Sequence, residues 1–198
     1  MKIGIIPTII NRYPGQFETA LDLRIVKLFN QISKNNIYHI LIEKKKIDLD
    51  LIILAGGNDC LSKNIKNIIR KKLDNFFILY GLKYKIPIVG ICYGAQLIAK
   101  MYGAKLVKTR KHVKNVHKIL NNGLVFKNIK KSFLVNSYHE YKIVNYNSKF
   151  EKILNAEDGS TEFFKIKKKE IYGIMWHPER YKKFKSTDLK ILKKICNL

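Results

Sequence analysis

Cysteine is scarce in this chain, with three residues in 198 at scattered positions. That excludes a disulfide framework, and the spacing matches no zinc-binding pair. Long apolar runs are missing, so no segment reads as a membrane span. No internal repeat or Pro/Ser-rich linker divides the sequence, and one domain over residues 1–198 is expected. Met1-Lys-Ile-Gly-Ile-Ile-Pro7 is too short and strand-like for a signal peptide and reads as a first core strand. A reducing, cytoplasmic setting suits free thiols. Acidic residues are the last scarcity, 15 against 39 basic ones, for a net charge of +24. Such charge invites a nucleic-acid reading. Yet no helix-turn-helix, zinc finger or aromatic RNA-binding signature is present. The basic excess is mostly lysine, alongside abundant isoleucine and asparagine, and these residues share A/T-rich codons. Genome bias therefore accounts for part of the charge, and no nucleic acid polymer is expected as partner. An anionic small substrate stays open, since a positive field steers it.

What is present is sharper. Pro87-Ile-Val-Gly-Ile-Cys-Tyr-Gly-Ala-Gln96 is a short apolar run that breaks at Cys92 and continues as a helix from Gly94 to Tyr102. A strand–Cys–helix corner is the thiol counterpart of the serine nucleophile elbow. The tight turn lifts the sulfur from the sheet, and the helix N-terminus behind it favours negative charge and aims backbone N–H groups at an oxyanion. A buried cysteine is more often an inert small hydrophobe; Cys60 and Cys196 are read that way.

Two further windows single out Cys92. Ile171-Tyr-Gly-Ile-Met-Trp-His-Pro-Glu-Arg180 is an apolar strand ending in His177, with Glu179 two residues on. A thiol nucleophile needs an imidazole within hydrogen-bond reach, and the imidazole needs an acceptor that fixes its tautomer. Asp50-Leu-Ile-Ile-Leu-Ala-Gly-Gly-Asn-Asp59 is a strand running into a Gly-Gly turn, which lets backbone approach a ligand closely. Taken alone it reads equally as an ordinary strand-to-helix turn.

Together the Gly-Gly loop, the Gly-Ile-Cys-x-Gly-x-Gln elbow and the Trp-His-Pro-Glu ending resemble, in this order, the class I glutamine amidotransferases over nearly the full length. Gly56-Gly-Asn-Asp59 and Val135-Asn-Ser-Tyr-His139 are closer to the free-standing γ-glutamyl hydrolase branch, whose members cleave γ-glutamyl amides such as γ-glutamyl-aminobutyrate and γ-glutamyl-polyamines. The resemblance implies a flavodoxin-like α/β fold and a Cys92–His177–Glu179 triad, with Gly57 and Tyr93 N–H groups as oxyanion hole. It brings Gly56, Asn58, Gln96, Asn136, Ser137, Tyr138 and His139 to the substrate, although His139 also reads as a surface strand histidine. His112 and His117 read as exposed or structural. No metal or organic cofactor is required, because thiol, imidazole and backbone amides supply the chemistry. The expected partner is a small γ-glutamyl compound, its amine half open and nucleotide linkage included. No obligatory protein partner is expected. The rivals are a glutaminase subunit that passes ammonia to a synthase, and a non-catalytic binder that would have no need of the triad.

Strand and helix patterns alternate through the first half: a strand at Lys2–Ile6, helical periodicity over Phe17–Lys34, strands at Tyr38–Ile42 and Leu51–Leu54, and helices at Asn64–Leu73 and Asp74–Lys85. This predicts an open, mostly parallel sheet with flanking helices. The second half reads as short strands: Lys105–Lys108, His117–Leu120, Leu124–Lys127, Leu134–Ser137, Lys152–Glu157, Glu162–Ile166 and Ile171–Trp176. Turn signals at Asn121-Asn-Gly123 and Asp158-Gly159 predict an added antiparallel portion. Ser186–Cys196 closes the chain as an amphipathic helix. All three motif windows fall at strand ends, the edge where open α/β sheets bind ligands. Arg12, Arg24 and Arg180 are candidates for an anion site at the mouth, because a guanidinium fork suits phosphate oxygens.

Overall fold

The computed structural model describes residues 1–121, 126–144 and 147–198. The elements are β1 (Lys2–Ile6), β2 (Thr8–Tyr13), β3 (Gln16–Ala20), α1 (Arg24–Asn30), β4 (Ile37–Ile40), β5 (Leu51–Leu54), α2 (Ile65–Tyr84), β6 (Ile88–Ile91) and α3 (Tyr93–Met101). They continue as β7 (Lys105–Lys108), β8 (Asn115–Asn121), β9 (Ser132–Ser137), β10 (Tyr141–Val144), β11 (Phe150–Ala156), β12 (Thr161–Ile166), β13 (Ile171–Ile174) and α4 (Ser186–Ile195). Among the described residues nine strands form one sheet in the order β4-β1-β5-β6-β13-β12-β11-β8-β9. The pairs from β4 to β13 are parallel. Those from β13 to β9 are antiparallel. The expected flavodoxin-like α/β architecture is thus present; most of its antiparallel portion extends the same sheet, while β7 and β10 form a two-stranded sheet of their own.

β1, β5, β6 and β13 are almost wholly buried Ile, Leu, Val and Gly, as strands covered on both faces must be. One face packs Ile25, Leu28 and Phe29 of α1 and Ile191, Leu192 and Ile195 of α4 against Ile3, Ile5 and Ile53. The other packs Phe77 and Ile78 of α2 and Leu97 and Ile98 of α3 against Ile52, Leu54 and Ile88. Trp176 is fully buried between the halves, its indole N–H donating to Asp188 of α4 at 3.1 Å.

Three expectations need correction. The helix expected over Phe17–Lys34 is confined to α1, and residues 16–20 form β3, the second strand of a hairpin with β2. The cause is the Pro14-Gly15 turn, where Gly15 takes φ +78° and returns the chain on itself. The two helices expected at 64–85 are one, since Arg70 and Asp74 pair at i,i+4 across the supposed break. β10, not expected, pairs antiparallel with β7. The expected strand at 124–127 and turn at 121–123 fall largely outside the described residues.

Candidate active site

The parallel register brings the ends of β5, β6 and β13 to one edge of the sheet, with Leu54 opposite Gly90 and Ile91 opposite Ile174. Beyond those ends stand Gly56-Gly57, Cys92 and His177. Cys92 is the N-cap of α3 and sits at φ +51°, ψ −100°, a conformation that L-residues rarely adopt. Its N–H donates to Ile174 carbonyl at 2.7 Å, and its carbonyl accepts from Gln96 N–H at 3.0 Å. The strained corner is thus held by the neighbouring strand on one side and the helix on the other. It also requires bare backbone: a Cβ on Gly90 would strike the backbone of Gly94 and Ala95, and one on Gly94 would strike Leu54 carbonyl. Gly173, the register partner of Gly90, leaves room for the Phe164 ring.

His177 is 2% exposed, and its Nδ1 lies 2.6 Å from Glu179 Oε1. Burial opposes the imidazolium, but the Cys92 sulfur, through charge and a hydrogen bond, and then Glu179 outweigh it and push the His177 pKa up to about 9. That favours the imidazolium form of His177 beside the Cys92 sulfur. Tyr138 meets the His177 ring edge-on at 5.6 Å between centroids, and the Arg180 guanidinium lies 4.8 Å from the Tyr138 ring centre. These groups open on a cleft of about 290 Å³ lined by Gly57, Asn58, Asp59, Cys92, Gln96, Tyr138, His139, Glu140, Tyr141, His177 and Arg180. Gly57 takes φ +103°, which an L side chain resists. Tyr93 opens α3, so its N–H has no carbonyl within the helix to bind.

A family comparison decides what kind of chain carries this corner. The model described as glutamine amidotransferase class-I matches residues 14–195. The chain belongs to the class-I glutamine amidotransferase family. It is 33% identical over 190 residues to the gamma-glutamyl-CDP-amidate hydrolase of Campylobacter jejuni, covering 91% of this chain and 90% of that protein. It is 32% identical over 178 residues to one subunit of the glutamine-hydrolysing GMP synthase of Methanococcus aeolicus, covering 89% and 87%. A solved structure from Thermoplasma acidophilum, described as a putative GMP synthase subunit, shares the fold, with a TM-score of 0.73, 20% identity, and coverage of 100% of this chain and 94% of that one. Membership supports hydrolysis of a glutamine-type amide.

Within this class-I amidotransferase fold, the expected site residues fall in two groups. Cys92, His177, Gly57, Gln96, Tyr138 and His139 line the cleft. Glu179 is buried behind His177, and Tyr93 turns its side chain away from the cleft into the core, its hydroxyl donating to Asp74 at 3.0 Å. Asn136 and Ser137 lie behind the wall rather than on it. The Asn136 amide clamps the His177 backbone from both sides, accepting its N–H at 2.9 Å and donating to its carbonyl at 2.8 Å. Ser137 donates to His112 carbonyl at 2.6 Å. Asn58 reaches the cleft, but its amide is taken up by Ile9 N–H and carbonyl, each at 3.0 Å, and by Asn67. Gly56 faces Cys92 and His177: its carbonyl accepts from Thr8 at 2.6 Å, and any Cβ would point at the His177 ring. Of the three candidate arginines Arg180 lines the cleft, its Nε 3.8 Å from Glu179 Oε1, while Arg12 pairs with Glu18 at 3.1 Å and Arg24 with Asp22 at 2.6 Å.

Arg70 and Asp74 were missed. Both are fully buried, paired at 2.9 Å, and Arg70 also donates to the carbonyls of Pro7 at 2.6 Å and Ala55 at 2.8 Å. They tie the ends of β1 and β5 to Tyr93 behind the Gly-Gly loop. Burial pushes the Asp74 carboxyl up, and Arg70 and Tyr93 pull it back. A charged pair four residues apart on a helix reads in sequence as a solvated surface, so the pattern hid them.

Proposed function

We propose that the protein is a free-standing hydrolase that releases glutamate from a γ-glutamyl amide, with Cys92 as nucleophile, His177 as acid and base, and Glu179 as the carboxylate that orients His177. The observation that carries this reading is the placing of Cys92, at its left-handed corner, beside a buried imidazole held from behind by Glu179 at 2.6 Å. Cys92 Sγ attacks the γ-carbonyl carbon, and the oxyanion rests on the N–H groups of Gly57 and Tyr93. His177 gives its proton to the leaving nitrogen as the C–N bond breaks and a thioester forms. It then takes a proton from water, whose oxygen attacks the thioester, and glutamate leaves as the thiolate returns. Gln96 in the cleft wall faces the glutamyl group.

For the amine half we propose a nucleotide-linked phosphoramidate, as in γ-glutamyl-CDP-amidate. Glutamate and cytidine diphosphoramidate would be the products, and capsule phosphoramidate synthesis the setting, in the cytoplasm. Two observations support this: the likeness to the Campylobacter jejuni hydrolase over 91% of the chain, and Arg180 at the cleft wall, where a guanidinium suits phosphate oxygens. A second reading, a glutaminase subunit that feeds ammonia to a synthase, is favoured by the 32% identity to the Methanococcus aeolicus GMP synthase subunit.

The test is glutamate release by the isolated chain from γ-glutamyl-CDP-amidate, γ-glutamyl-aminobutyrate and glutamine. The expected outcome is turnover above about 1 per second on the first alone, with Arg180→Met lowering kcat/KM on phosphorylated but not neutral substrates. Good glutamine hydrolysis that appears only with a second protein makes the chain part of a synthase instead.

A further inference from the structure

The antiparallel half buries a set of ionisable side chains that the hydrolytic reading does not use. Glu162 of β12 is fully buried. His112, from the turn before β8, and His139, from the corner between β9 and β10, are each 2% exposed. His117 of β8 completes the group, its ring centre 4.4 Å from that of His112. Three imidazoles converge on the one carboxylate: His112 Nδ1 at 3.2 Å, His117 Nε2 at 3.4 Å and His139 Nε2 at 3.5 Å. None of these contacts is aligned as a hydrogen bond. Both Glu162 oxygens, His112 Nδ1, His139 Nε2 and both His117 nitrogens are buried without a hydrogen-bond partner among the described residues. A buried polar atom left without a partner is costly, so six together demand a common one.

The outer nitrogens show what that partner is. His139 Nδ1 lies 2.9 Å from Tyr141 carbonyl, which can only accept, so the ring proton sits on Nδ1 and the neutral ring presents a lone pair at Nε2. His112 Nε2 faces Asp158 Oδ2 at 3.2 Å. Asp158 Oδ1 accepts Ser160 N–H at 3.0 Å and the Ser160 hydroxyl at 2.5 Å, so this carboxylate too is placed as an acceptor, and the His112 lone pair falls on Nδ1. Two imidazole lone pairs and a carboxylate thus meet, each imidazole backed by an oxygen acceptor. This is the outer-shell pattern that orients histidines bound to metal. The ligand atoms of His112, His139 and Glu162 all lie within 4.8 Å of one another. Tetrahedral zinc, with bonds of about 2.0–2.1 Å, sets its ligands about 3.3 Å apart, close to the N···O separations here. Nitrogen-rich donors select zinc and its neighbours over calcium or magnesium, which take oxygen.

We propose that His112, His139 and Glu162 bind one divalent transition-metal ion, zinc by preference, with His117 at the fourth position. Four protein ligands make this a closed, structural site. It would tie together the turn before β8, β8, β12 and the corner that carries Tyr138 to the cleft.

The test uses the full chain carrying Cys60→Ala and Cys92→Ala, so that the buried thiols cannot capture metal, stripped with a chelator and titrated with cobalt(II). One equivalent should produce the intense visible bands of four-coordinate cobalt without a sulfur charge-transfer band. One equivalent of zinc should displace it and raise Tm. Glu162→Gln should abolish the bands. Should that variant fail to fold, Asp158→Asn, which alters only the backing of His112, should weaken cobalt binding about 10–100-fold. Absence of bands and an unchanged Tm at about tenfold excess of zinc would overturn the proposal.

Discussion

Gly56→Ala tests whether the His177 ring works where it lies. Gly56 lacks the left-handed φ of its neighbour Gly57, so its backbone accepts alanine. The new methyl group would lie 3.5 Å from Cys92 Cβ and 3.6 Å from Ile91 carbonyl, both ordinary contacts, but 2.9 Å from His177 Cε1. Carbon atoms pack at about 3.5–4.0 Å, so ring or loop must yield by roughly 0.6–1 Å. The ring has little freedom, because Glu179 holds its Nδ1 and Asn136 both backbone groups of the residue. A single overpacked methyl costs about 1–2 kcal/mol, a fall in Tm of about 2–8 °C in a chain of this length. A displacement approaching 1 Å in a catalytic group costs about 100-fold in rate. We therefore expect a folded protein with kcat down by about two orders of magnitude. Glutamate release, the rate of Cys92 alkylation by a diazo-ketone analogue of glutamine, and a thermal melt measure the two effects separately. Activity within about twofold of the parent at an unchanged Tm would show that the position of this imidazole does not matter to the chemistry.

The same diazo-ketone analogue should label Cys92 alone, because burial pushes the Cys60 and Cys196 thiols up to about 11. Cys92→Ala should be inactive and folded, Cys60→Ala and Cys196→Ala active, as mass spectrometry and turnover will read. The imidazolium of His177 persists up to about pH 9 against an ordinary 6.5, so its stabilising contribution is complete below 6.5 and lost as pH rises through 9. kcat/KM should fall above about pH 9, and Glu179→Gln, by removing a negative charge, should bring that fall about one unit lower; an unmoved alkaline limb removes Glu179 from the pair. Asn136→Ala removes two hydrogen bonds from the His177 backbone and should cost about 2 kcal/mol in urea unfolding together with a loss in kcat; lost stability with unchanged kcat would make it a mere structural tie.

Buried parallel strands were legible because their apolar runs have no polar interruptions, and the three motif windows because each ends such a run. β1, β5 and β7 carry the expected bounds. β3 was not legible, since Leu21, Ile25, Leu28 and Phe29 continue a helical period backwards into residues that a Pro-Gly turn commits to a hairpin. The family resemblance puts Asn136 and Ser137 on the cleft wall, but their side chains, successive along β9, are taken up by the backbone of His177 and of His112 respectively, contacts between distant segments that no local pattern shows. His112, His117 and His139 were weighed one by one, but their meeting around Glu162 was not legible, because they come from separate segments and no local spacing marks side chains that meet only through strand pairing.

Gly90 lies bare in the middle of the sheet, and the first turn of α3 rests on it backbone against backbone, while the Phe164 ring covers Gly173 beside it. A helix propped on a sheet by side chains shifts whenever drift changes their size. The first turn of α3, which carries Cys92, depends on them less, although Leu97 and Ile98 farther along still pack on side chains of the sheet. Core side chains away from this contact can therefore change size with less effect on the sulfur than a change at the contact itself. Gly90, Gly94 and Gly173 are the positions where that freedom ends, since any side chain at Gly90 or Gly94 would meet main chain and one at Gly173 the buried Phe164 ring.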